Sequence, residues 1–88
     1  MNRRTTRETE MLLKARHSHN LSQLQVATLI GFHVRQYQRF EYGETDIRRI
    51  NIQAGLALCA VLELDPVDLV FDGDKDVLND LRNGRYLP

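Results

Sequence analysis

The stretch Leu21–Gly43 reads LSQLQVATLIGFHVRQYQRFEYG, and its punctuation decides the fold. Ser22 followed three residues later by Gln25 is a capping-box pattern, which opens a short helix running through Ile30. Val26, Ala27 and Ile30 face inward, and the small Ala27 lets a second helix come close. Gly31 then occupies the position where a helix ends in a left-handed residue, a conformation glycine adopts cheaply. Phe32 supplies an apolar staple for a further helix from His33 or Val34 to about Tyr42, with Tyr37 and Phe40 inward at i, i+3. Arg35 and Arg39, at i, i+4, share the opposite face, and Gly43 stops the helix. Two short helices meet at a glycine turn.

Outward from this pair, every neighbouring segment also reads as helix. Thr5 with Glu8 forms a capping-box pattern ahead of a helix from Thr6 to about His17, whose inward stripe is Met11, Leu12 and Ala15. Residues 44–50 read as a charged loop. Asn51 is a good N-cap for a helix from Ile52 to about Glu63, with Ile52, Leu56, Cys59 and Leu62 on its buried stripe. Gly55 inside that helix costs about 1 kcal/mol against alanine, which points to a close helix contact. Asp65-Pro66 is a cap followed by a first-turn proline, starting a short helix that buries Val67, Leu69 or Val70. Residues 74–83 add a sixth helix with Val77, Leu78 and Leu81 apolar and Gly84 at its end. No stretch alternates apolar and polar residues as a strand would. The expectation is an all-α fold: a compact five-helix domain with a short C-terminal extension.

Length and charge bound the rest. Eighty-eight residues make one domain with a small core, which a partner subunit would help to stabilise. It divides into a basic arm at 1–5, a core at 6–70 with the two-helix motif at 22–42, and an acidic extension at 71–88. The single cysteine, Cys59, cannot form an internal disulfide and fits a reducing cytoplasm. There is no apolar run of about 18 residues and no leader-like segment. No nucleophile–base pair, phosphate loop or carboxylate dyad is visible, so no enzyme activity and no cofactor are expected. His17 and His19 have no acid or cysteine to complete a ligand set, so no metal is expected either. The zero net charge conceals an asymmetry: residues 1–50 carry nine basic and five acidic side chains, whereas residues 51–88 carry three and seven. Screening confines charge interactions to about 8–10 Å, so local sign decides whether a polyanion can dock. Neutrality overall does not exclude nucleic acid.

A small residue in a first helix, glycine in the turn and apolar anchors in a second helix make a helix-turn-helix arrangement, in which the first helix props the second against the major groove. The sequence resembles the lambda-repressor-like, or XRE (Cro and phage-repressor), family of DNA-binding domains. The resemblance runs from about Leu13 to Val70. It rests on Arg16, L-S-Q at Leu21–Gln23, V-A at Val26–Ala27, I-G at Ile30–Gly31, F-E-Y-G at Phe40–Gly43 and the segment Leu58–Leu69. It implies a five-helix domain that binds double-stranded operator DNA as a homodimer. It also implies that Gln23 donates to a phosphate, and that Val34, Arg35 and Arg39 face base edges. His33, Gln36 and Tyr42 would sit at the margins, on phosphates or sugars. Arg16 and Glu41 would form a largely buried structural ion pair. His33 stands where the family usually has Ser or Thr as cap, and Cys59 where it has a small alanine.

The residue chemistry agrees with these roles, since arginine reads guanine in bidentate fashion, glutamine can read adenine, and valine can contact a thymine methyl. Gln38 points either along the groove wall or into water. Arg3, Arg4 and Arg7 form an arm that either tracks DNA or frays, and fraying is the commoner outcome. Two rivals stand beside the sequence-specific regulator. One is an antitoxin-like or other protein-interaction module whose acidic C-terminal half binds a partner; the other is a non-specific nucleoid-type binder. The regulator reading is preferred.

Overall fold

Every helix but the one starting at Val34 begins where a side chain takes up one of its first unpaired amides. The computed structural model describes residues 4–71 and 73–84, and among them lie six α-helices, one 3-10 turn and no strand. The helices are α1 (Arg7–Ser18), α2 (Gln23–Leu29), α3 (Val34–Glu41), α4 (Ile52–Leu62), α5 (Pro66–Val70) and α6 (Lys75–Arg82), with the 3-10 turn at Ile47–Arg49. Ser22 and Gln25 close the expected capping box on α2, at 3.0 Å from the Gln25 N–H to Ser22 Oγ and 2.7 Å from the Ser22 N–H to Gln25 Oε1. Asn51, Asp65 and Asp74 cap α4, α5 and α6 through their side-chain oxygens. The cap of α1 is displaced by one residue. Thr6 and Thr9, rather than Thr5 and Glu8, form its box: Thr9 is buried against the helix start, while the largely covered Glu8 is engaged by Arg48 at 3.2 Å.

The core gathers Leu12, Val26, Ala27, Ile30, Tyr37, Phe40, Leu58, Cys59, Leu62 and Leu69 between α1–α5. Phe32 lies 6.1 Å from Phe40, ring centroid to centroid, and clips the turn onto α3. Two expectations about the later half need correction. The buried face of α4 is Ala54, Leu58, Cys59 and Leu62, whereas Ile52 and Leu56 are 80% and 54% exposed. An almost wholly apolar helix gives periodicity no polar face to work from, so packing against α2 and α5 selects the stripe. The segment 44–50 is not simply a charged loop: Ile47 is 3% exposed and belongs to the core. Gly55 does mark a close contact, but with the Ile50 side chain rather than with another helix; an added Cβ would lie 3.1 Å from Ile50 Cγ2.

The helix pairs that pack on one another are α2 with α3 and α4, α1 with α3, α4 and α5, and α4 with α5. α6 packs less extensively than these and is tied to α5 by the Lys75–Asp68 ion pair at 3.1 Å. No helix among the described residues is long and apolar enough to cross a membrane.

Candidate nucleic-acid interface

α2 and α3 form the most closely joined pair in the molecule. Gly31 adopts φ +77°, and a Cβ there would meet nothing within 4 Å, so the glycine is required by backbone conformation alone. The Phe32 N–H donates to the Ala27 carbonyl at 2.8 Å and locks the turn. α3 then buries Tyr37 and Phe40 completely or nearly so, and presents Arg35, Gln36 and Arg39 to solvent, with Val34 and Gln38 half-buried between them. The anchors face in and the arginines face out. Arg35 Nη2 approaches Glu44 Oε1 at 4.0 Å, too long for a hydrogen bond, and its side chain is 48% exposed. The charge is steered, not sequestered. His33 caps α3 without a side-chain hydrogen bond, and only the return half of the box is made, from the His33 N–H to Gln36 Oε1 at 2.9 Å.

Beneath this face lies a polar network that binds the two helices to α1. Arg16 donates to Glu41 through Nε (2.9 Å to Oε2) and Nη2 (2.7 Å to Oε1), and through Nη1 to the Leu21 carbonyl at 3.0 Å. Burial alone would raise the Glu41 pKa, but hydrogen bonds from Arg16 and Gln23 outweigh it and hold the carboxyl below its ordinary value. The same hydrogen bond from Arg16 to Glu41 raises the guanidinium pKa against the opposing effect of burial. The Tyr37 hydroxyl, buried beside this pair, has its pKa pushed well up by burial and by the neighbouring Glu41 carboxylate.

Because an ionised Glu41 can only accept, it dictates the amide orientation above it. Gln23 must present Nε2 to Glu41 (3.0 Å), and the same nitrogen reaches the Tyr42 hydroxyl at 3.2 Å. Gln23 Oε1 therefore points away from Glu41 and accepts from Gln38 Nε2 at 3.0 Å. Gln38, left undecided between groove wall and solvent, thus becomes the outermost link of a chain that starts at a buried ion pair. Gln23 faces the protein, and Tyr42 is drawn in with it. No local sequence pattern signals this network, since its members are far apart along the chain.

Arg4 is fastened at this end of α3. Residues 1–3 lie outside the described residues, but the Arg4 N–H donates to the Tyr42 carbonyl at 2.9 Å, where fraying was the preferred expectation. Gly43, at φ +74°, is demanded twice over, by its left-handed backbone and because a Cβ would run into the Arg4 carbonyl.

Among known families, a model described as helix-turn-helix matches residues 12–69. No curated protein matches the chain.

Proposed function

The chain belongs to the lambda-repressor-like (XRE) helix-turn-helix family of DNA-binding domains, and we propose that it is a sequence-specific, repressor-type regulator that binds operator DNA as a homodimer. The observation that carries this reading is the division of α3: Tyr37 and Phe40 are spent on the core while Arg35 and Arg39 stand exposed one turn apart. That spacing suits two bidentate contacts to guanine edges in one major groove. Val34 lies one turn before Gln38 and adjacent to Arg35, within reach of a thymine methyl. Gln38, with Nε2 held by Gln23, keeps Oε1 for an exocyclic amino group of adenine or cytosine. His33 and Gln36 flank the helix start on phosphates or sugars. Gln23 and Tyr42 act by positioning, and Gln23 leaves phosphate contact to the backbone amides at the start of α2.

Selection of sites from a random DNA pool, followed by mobility shifts across salt concentrations, tests this. Arg35→Ala and Arg39→Ala should each weaken binding to the selected site by about 1–3 kcal/mol and relax preference at particular base pairs. Equal losses on every sequence would assign both arginines to phosphates and overturn the base-reading role.

A further inference from the structure

Of the two arginines that α3 turns outward, one already has a partner inside the molecule. Arg35 Nη2 lies 4.0 Å from Glu44 Oε1, which stands beyond the C-terminal end of α3. From Arg35 to Glu41 the helix rises about 9 Å at ~1.5 Å per residue, so the contact draws the Arg35 side chain back along α3 rather than straight out from it. Glu44 is the fixed member of the pair. Gly43 before it holds φ +74°, the Thr45 N–H after it donates to the Arg39 carbonyl at 3.0 Å, and its side chain is 20% exposed against 48% for Arg35. Its Oε2 is buried and has no hydrogen-bond partner among the described residues. No other described cation forms an ion pair with this carboxylate, and Arg39, one turn on from Arg35, has no such acid among the described residues.

We propose that Glu44 is a positioning residue that competes with DNA for Arg35, holding the guanidinium back along α3 in the free protein and yielding it only to a stronger acceptor. This rests on the DNA-binding reading above. A carboxylate and a guanine edge both engage arginine through paired acceptors, so the acid stands in for the base while DNA is absent. A side chain drawn toward the C-terminal end of α3 is not one that projects into a groove, and the two engagements exclude each other. At 4.0 Å the contact is coulombic rather than hydrogen-bonded, which leaves it weak enough to break. Arg39 therefore meets the DNA unconditionally, whereas Arg35 joins only when the site outbids Glu44. The acid also opposes phosphate by its charge alone, an effect that does not need Arg35. The two effects are separable.

The test measures the affinity of the full chain for its selected DNA site at low ionic strength, where the pair is least screened. Glu44→Gln keeps the size of the side chain and removes its charge. It should tighten binding about 1.5- to 5-fold, the range of an exposed ion pair, and the same gain should appear in an Arg39→Ala background. In an Arg35→Ala background the gain should vanish. Equal gains with and without Arg35 would show repulsion of phosphate alone, and no gain with Arg35 present would show that Glu44 does not compete; either result overturns the proposal. Nitrogen-15 relaxation of the Arg35 Nε–H in the free protein supplies a readout without DNA. Glu44→Gln should loosen this group, and unchanged mobility refutes the contact. An Arg35→Ala variant that relaxes preference at no base pair yet abolishes the gain would keep Glu44 as the competitor while removing Arg35 as a base reader.

Discussion

Replacing Arg16 with methionine probes the part of the molecule that everything else leans on. Methionine keeps the apolar stem but removes two donors from Glu41 and one from the Leu21 carbonyl. The side chains are 11% exposed for Arg16 and 2% for Glu41, so the pair is scarcely screened by solvent. Removing one partner of a buried pair costs about 3–5 kcal/mol, since the remaining charge keeps its desolvation penalty. A chain of this size has a total stability of about 4–13 kcal/mol, so the variant should lose at least ~12 °C in Tm at about 4–8 °C per kcal/mol. The sign of the pH dependence separates this cause from simple loss of packing. In the native protein Glu41 titrates below its ordinary value of 4.5, so its contribution is present above that pH and is lost as pH falls through the folded value. In Arg16→Met, burial dominates and raises the Glu41 pKa, so protonation relieves the penalty and the deficit should shrink between neutrality and pH ~5. Urea unfolding followed by circular dichroism at several pH values measures it. A deficit below about 1 kcal/mol, the range of a surface pair, or one constant across pH, would refute the reasoning.

Other expectations concern the caps, the glycines and the amide network. Thr6→Ala should lower stability by about 1 kcal/mol while Thr5→Ala leaves it unchanged, because only Thr6 holds the free amides of α1; thermal melts of the two variants decide. Gly31→Ala should cost about 1 kcal/mol for its left-handed backbone alone. Gly43→Ala should cost more, because the Arg4 carbonyl stands where the Cβ would go. Equal losses in urea melts would argue against the anchored Arg4. Gln23→Met should leave Arg35 and Arg39 untouched yet reduce discrimination at one base pair, since Gln38 is no longer held by its amide nitrogen. Competition with singly substituted sites would show it, and a uniform loss at every position would contradict the positioning role.

How much of this could be read in the residues themselves depends on how local the deciding interaction is. The capping box at Ser22 and Gln25, the left-handed glycines at Gly31 and Gly43, and the two aromatic anchors of α3 act within a few residues of each other, so order and spacing were enough to place the two-helix motif. Those same residues assign Arg35 and Arg39 to the outer face. Tertiary structure alone decided the rest. α4 is apolar nearly all round, so only its neighbours determine that Leu58 is buried and Leu56 exposed. Ile47 joins the core because the turn that carries it folds against α4, and the orientation of Gln38 follows from Glu41 through Gln23, three side chains joined only in space. A helix end or a turn is settled by its own atoms; a shared face or a hydrogen-bond direction is settled by whatever packs against it.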